Sequence, residues 1–420
     1  MNATQKRLRK RYNAERRFKL YGILAIVISC SFLAFLLTSI ISKGYTAFWR
    51  TEIRLSIAFD PAQIDPDHVP ANIDLKNGDY TALIHQALKV QFPQITGRGE
   101  LFQLYSLMSH DAGFSLRRMV LKDPALLNTT VDVWLPASSD VDMLMKGRAA
   151  GALEGQRRLK DNQVAWLGKI KEDGAIRSSF NWPFFTNGDS REPEQAGIAG
   201  SFIGSLLTVA VCMLLALPLA VLTATYLEEF APKNWFTDMI EVNLNNLAAV
   251  PSIVFGLLGL SVYLGFMGLP RSSSLVGGLT LALMVMPTIV ITTRQAIKAV
   301  PPSIKAGAMA LGASSLRVTI DFTIPLAMPG IMTGTILAVA RALGETAPLI
   351  MIGMVAFIAD IPHHVTDPAA AMPVQIYLWS TNPEVGFVEK TSAAIMVLLA
   401  LLMVMNALAI YLRKKFERRW

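Results

Sequence analysis

The stretch AVARALGETAPLIMIG, residues 338–353, carries Arg341 and Glu345 inside a run apolar enough to cross a bilayer. Charged side chains at membrane depth are costly, and they mark substrate routes, relays or pairs that hold helices together. On a continuous helix, positions 341 and 345 fall one turn apart on the same face. A glutamate placed before its cation is the better local arrangement. Here the order is reversed, so simple helix stabilisation is a weak reason for the pair. Arginine offers a planar fork of donors suited to oxyanions, and a neighbouring carboxylate tempers the field so that a bound anion can leave again. The face is expected to point to a bundle interior or a wet pathway, with a structural ion pair between helices as the alternative. Thr346 and Ser252 offer hydroxyls to the same route. Arg294, at the inner end of another apolar run, either helps an anion to leave or snorkels to the surface.

The elements that would position these groups are apolar spans. Over half of the 420 residues are hydrophobic and only 17% are charged, a composition outside the range of ordinary soluble domains. Windowed apolarity predicts six transmembrane helices, at 20–42, 198–226, 247–267, 274–293, 324–353 and 392–412. The first is too long for a signal-peptide core and is followed by no small-residue cleavage site, so it reads as a retained anchor. Phe48 and Trp49 just beyond it suit an interfacial belt. The +8 net charge is concentrated in the tails: residues 1–19 carry +7 and 413–420 carry +4, leaving the remainder slightly acidic. Six spans return the chain to its starting side, and both basic tails then lie in the cytoplasm. Residues 227–246 and 294–323 fall on that side, and 43–197, 268–273 and 354–391 on the other. A nucleic-acid partner is not expected, because no aromatics interleave the basic residues. Cys30 and Cys212 both sit in apolar runs and imply neither a disulfide nor a metal site.

Residues 43–197 differ in kind, with 18 basic and 19 acidic residues and turn clusters such as DPAQIDPD and KEDG. EIRLSIAF and VDVWLP read as strands, and DYTALIHQALKVQF and ELFQLYSLMSH carry helical periodicity. The segment is expected to form an inserted α+β extracytoplasmic domain. Its histidines, His68, His85 and His110, lack metal-ligand spacing, as do His363 and His364 in a later loop.

Between the fourth and fifth spans lies VPPSIKAGAMALGASSLRVTIDFTIPLAMPG, residues 300–330. Pro301 and Pro302 can open a short helix. A helix this short is marginal alone, so its small apolar face needs a groove on another molecule. The stretch resembles the coupling loop of ABC-importer permeases: Glu-Ala-Ala, three residues, Gly, nine residues, then Ile-x-Leu-Pro. Ala306, Gly307 and Ala308 stand for the first triplet, Gly312 for the glycine, and Phe322-Thr323-Ile324-Pro325 for the ending. Ala306 replaces the motif's glutamate and removes any ion pair it would make. ARALGETAPLIMIG, VPSIVFGLLGL and AMPVQIYLW are similar to PstA-type permeases of phosphate importers, over about residues 197–412.

The resemblance implies a type I ABC-importer permease (MetI-like) fold: an all-α polytopic membrane protein with a core at 198–412 and an ATPase-coupling loop at 300–325. It implies a multi-pass protein of the bacterial inner membrane that imports inorganic phosphate and is not itself an enzyme. The implied partners are a PstC-type permease, two ATP-binding subunits that hold ATP-Mg, an extracytoplasmic phosphate-binding protein and membrane lipid. The chain itself carries no Walker motif and is expected to hold no cofactor or metal. Arg341, Glu345 and Thr346 then line the phosphate path. Permeases for sulfate, molybdate or phosphonate remain open alternatives, as does a membrane-anchored sensor, although the short tails leave no room for an output domain.

Overall fold

The computed structural model describes residues 3–64, 75–76, 78–148 and 158–416, with the side chains of 3–10 and 416 excepted. His68, part of DPAQIDPD and the tail residues Glu417, Arg418 and Arg419 lie outside the described residues.

Among the described residues five helices are long and apolar enough to cross a membrane, and a sharply bent pair makes six if it counts as one span. The first helix runs Ala3–Gly44 and meets the last, Val385–Phe416, at its far end. A Cβ on Gly44 would lie 2.8 Å from the backbone of Ser392 and Ala393, so only glycine allows the approach. The bundle centres on Ser274–Lys298, packed between Ala199–Thr225 and the helix running from Ser315 to Gly344. Small residues make the close crossings: Gly278 meets Val211, Gly330 meets Ala296 and Gly334 meets Thr292. Helices in lipid associate by such packing rather than by hydrophobic burial. Gly204, whose Cβ would sit 2.2 Å from the Ala370 carbonyl, predicts an effect. Gly204→Val should cost about 1–3 kcal/mol through overpacking and lower the thermal midpoint of the solubilised chain. Gly22→Val, in open space, should leave the midpoint unmoved.

Two expected spans are interrupted. The span expected at 247–267 is a pair, Trp235–Ala248 and Ser252–Phe266, bent by 103°. Pro251 has no N–H to continue the ladder and disfavours helical backbone at Val250. The span expected to reach 353 stops at Gly344; Glu345 is extended (φ −78°, ψ 130°), and a short helix, Ala347–Met351, follows. Pro348 again removes the donor that the preceding turn would need. The last helix begins seven residues before the apolar run expected at 392, because Glu389 and Lys390 are matched by groups of the inserted segment.

That segment builds a three-stranded antiparallel sheet, β1 (Trp49–Ala58), β2 (Thr130–Pro136) and β3 (Ile176–Phe180), in the order β2-β1-β3. Ile53, Leu55 and Ile57 alternate inward against the helix Tyr80–Gln91, whose first turn is capped by Asp79. Glu52 is buried on the opposite face because Arg50 and Arg177 both reach it, at 2.6 and 2.7 Å. The expected strands are present and β3 is additional. The helix read through ELFQLYSLMSH ends at Tyr105.

Charged groups fasten the sheet domain to the bundle. Lys146 bridges Asp142 (2.6 Å) and Glu389 (2.7 Å), and Asp142 accepts the Thr51 N–H. Arg148 donates to the carbonyls of Ser42 and Lys43 and to the Thr46 hydroxyl. Lys390 donates to the Ala196 carbonyl. Glu194, just before the second span, is buried beside Ser109 of the sheet domain, with one carboxylate oxygen unpaired. Burial, opposed by a hydrogen bond from Ser109 and reinforced by Glu192 and Asp111, pushes its carboxyl up to about 7. Folding thus retains a proton that the unfolded chain releases above its ordinary value of 4.5. The junction should lose stability as pH rises from that value to about 7, by at most about 3 kcal/mol, and level off beyond. Protection factors for hydrogen exchange at residues 186–198, corrected for the intrinsic rise of exchange with pH, should fall over that window, and Glu194→Gln should flatten the profile. A wild-type profile already flat would remove Glu194 as the cause.

Candidate functional site

Arg341 lies in the last turn of the fifth span, and Glu345 is the first residue beyond it. The Arg341 Nε stands 3.5 Å from the Glu345 Oε1. The pair therefore forms, but not as two positions of one helix. Extended backbone carries the carboxylate back to the guanidinium. The side chains are 38% and 21% exposed, so the pair is not enclosed by this chain. Leu337, one turn earlier, is exposed as well, and the two define an open flank on the fifth span. Among the described residues, the terminal nitrogens of Arg341 and the hydroxyl of Thr346 have no hydrogen-bond partner, so the guanidinium can donate, and the hydroxyl donate or accept, elsewhere.

The helix break beside the pair has a counterpart. Gly256 of Ser252–Leu258 presses on Pro348 and Met351, and Gly259 on Ile352. The two segments run side by side in the same direction, so the Pro251 break and the 344–346 break fall at the same end. Irregular backbone at membrane depth persists where protein buries it or where it lines a water-filled cavity. Ser252 opens its helix beside Pro251 and is half-buried.

Arg294 does not stand free. Its Nε faces Glu228 at 3.4 Å, and its terminal nitrogens reach the two oxygens of Glu241 at 2.9 and 3.0 Å. It ties the fourth span to the end of the second and to the first half of the bent pair. The acidic partners had a signal in the sequence: Glu228 and Glu229 end an apolar run while Arg294, Lys298 and Lys305 end or follow another.

The 300–325 segment forms a helix, Pro302–Ala310, with Pro302 in its first turn. Gly312 stops it with a positive φ of 86°. The Gly312 N–H donates to Met309 and the Ala313 N–H to Ala308, a reciprocal closure that needs a left-handed residue. Lys305 pins the helix to the bundle through Glu229 at 2.5 Å. Ala306 and Gly307 are exposed, Ala308 is buried, and Met309 and Leu311 are open, Leu311 at 92%. Pro325 lies within the first turn of Ile324–Gly344, reached from the loop through a wider π-helical turn at Thr319–Thr323. The loop thus presents a small apolar knob with no carboxylate at 306.

A spacious cleft, about 650 Å³, lies elsewhere, between the sheet domain and the loop at 357–363. Asp111, Arg117, Arg118, Asp189 and Asp360 line it. No group of three or more His, Cys, Asp or Glu suited to a metal ion occurs among the described residues.

Comparison with known proteins accounts for this architecture. Residues 216–420 match the family described as binding-protein-dependent transport system inner membrane component, and residues 5–154 match a domain of unknown function, DUF3333. The Phosphate transport system permease protein PstA 1 of Mycobacterium tuberculosis is 32% identical over 248 residues, 58% of this chain and 80% of that protein. The PstA protein of Haemophilus influenzae is 33% identical over 199 residues, 47% of this chain and 69% of its own. The MetNI methionine ABC transporter, in inward-facing conformations, is 14% identical over 53% of this chain and 96% of the transporter chain, with a TM-score of 0.41. The assignment rests on the sequence relatives. The chain belongs to the family of binding-protein-dependent transport inner membrane components, and is a mostly helical, multi-pass inner membrane protein. Within that family it stands with the PstA-type permeases.

Proposed function

We propose that this chain is the permease subunit that carries inorganic phosphate inward, and that Arg341 is its anion contact. The observation that carries the site is a guanidinium at a helix break, held by Glu345 on one edge and unengaged on the other. Likeness to the phosphate permeases supports the cargo. With the path empty, Glu345 satisfies part of the guanidinium. An arriving phosphate takes the free donors, and the carboxylate at the opposite edge keeps the hold weak enough for release. Thr346 adds a hydroxyl next to the pair. The exposed flank bearing Leu337 and Arg341 is the wall that a second, PstC-type permease completes.

The 300–325 loop seats an ATP-hydrolysing subunit on its small apolar knob, with one such subunit per permease and Mg-ATP held there. Both tails and this loop lie in the cytoplasm, and the sheet domain lies outside, where a phosphate-binding protein delivers its cargo. The Lys305–Glu229 and Arg294–Glu228–Glu241 pairs transmit the loop's displacement to the second and third spans. The loop at Ala306 binds its ATPase through shape rather than through a carboxylate.

Uptake of labelled phosphate by cells lacking the chain tests the reading. The gene should restore uptake, and excess sulfate or molybdate should not compete. Failure to restore it, with the chain inserted and the partner subunits present, would overturn the cargo.

A further inference from the structure

We infer that the sheet domain is seated on the bilayer itself, through an aromatic patch that enters the headgroup region of the leaflet at its base. The patch is one connected set of rings. Phe48 stacks on Phe185 at 5.7 Å, Phe185 on Phe180 at 5.9 Å, and Phe180 meets Trp182 at 5.0 Å and Trp49 at 5.9 Å. Four of these rings are open, Trp182 at 67% and Trp49 at 49%. Exposed aromatics in a connected group are unusual on a surface that faces only water.

Continuity with the spans identifies what covers them. The first helix is exposed along its apolar length, and the exposed rings of Tyr45, in the turn Tyr45–Phe48, and of Trp49, which opens β1, follow directly on its end. The surface that faces lipid therefore leads directly into the patch. The underside of the patch is Phe184, buried with Ala47, Phe387 and Ala393 where the first and last spans meet. That junction is where the chain leaves the bundle, at interfacial depth. Tryptophan and tyrosine favour that depth because an apolar ring body carries a polar edge, and exposed Lys43 supplies a cation for lipid phosphate. The patch also occupies the end of β3 nearest the first span, an edge strand that among the described residues pairs only with β1. Bare edges invite pairing with other chains, and a seat on the membrane shields this one.

Spin labels in the assembled complex, reconstituted in phosphatidylcholine–phosphatidylglycerol nanodiscs, test the inference. Trp182→Cys is labelled in a chain carrying Cys30→Ser and Cys212→Ala. Phe102→Cys, at an exposed aromatic outside the patch, serves as the aqueous reference. Cys30 labelled alone, exposed on the first span, serves as the lipid reference. Relaxation by oxygen relative to a water-soluble nickel chelate should be higher at 182 than at 102 and lower than at 30, which lies mid-span. Equal ratios at 182 and 102 would place the patch in water. Loss of access to both reagents would place it against protein. Either result overturns the inference. Should the cysteine variant fail to assemble, depth-brominated lipid keeps the native rings: quenching of intrinsic fluorescence should fall measurably in Trp182→Phe, and unchanged quenching would count against a lipid seat.

Discussion

Arg341→Lys is expected to lower phosphate uptake about ten- to hundredfold while the complex still assembles. A guanidinium can divide its work: Nε meets Glu345 at 3.5 Å, and the terminal nitrogens remain for the anion proposed to bind there. A lysine ammonium is one point charge, and from position 341 it would settle on Glu345. The forked contact to phosphate would then be lost. Hydrogen bonds to charged groups contribute about 1.5–3 kcal/mol, which sets the size of the effect. Because the side chain is 38% exposed in this subunit, the substitution opens no cavity, and co-purification with partner subunits should be unchanged. Glu345→Gln should act in the opposite sense, with phosphate held more tightly and the maximal rate reduced. Uptake equal to wild type in Arg341→Lys would make the pair structural.

The second large effect is expected at Gly312. Its φ of 86° closes the loop helix through two backbone hydrogen bonds. A branched residue there costs about 1–2 kcal/mol in left-handed backbone and reopens the turn that aims Leu311 and Met309. Gly312→Val should therefore leave the bundle folded and abolish transport. ATP hydrolysis by the complex should become insensitive to phosphate delivery. Gly307→Ala separates strain from contact, since its position is equally open and requires no left-handed backbone. It should preserve the loop's shape, so any loss of ATPase binding would report on the seat alone. Transport at wild-type rate in Gly312→Val would remove the loop from the coupling route.

Apolar runs and basic tails made the polytopic architecture legible, because lipid imposes length and composition directly on each span. The interruptions were harder to read. Windowed apolarity is blind to Pro251 and Pro348, although each proline was a visible mark of a missing donor. Strand β3, IRSSF, lacks alternation because its outward Arg177 has a task across the sheet at Glu52, and only the fold reveals that pairing. The adjacency of Arg341 and Glu345 was readable from spacing. The open side was not, since exposure depends on what the remaining helices leave uncovered. The surroundings of Arg294 were hidden for a related reason. Its carboxylates, Glu228 and Glu241, are brought to it by two other segments of the chain. Gly312 was the most transparent residue: a glycine after a short helix has few other uses.

The seam between the first and last spans bears on how the protein is made. Gly44 rests on Ser392 and Ala393, and Arg148 binds the end of the first helix while facing Glu389 on the last. Roughly 350 residues must be synthesised between the two sides of that seam, which takes on the order of 20–70 s at typical translation rates. Throughout that interval the first helix lacks its neighbour, and for the later half of it the sheet domain is already complete in sequence. Lys146 and Arg148 wait with no carboxylate from the bundle. The last span to emerge is therefore the one that locks the first, and a chain arrested before residue 385 leaves Gly44 and Arg148 without the far side of their seam.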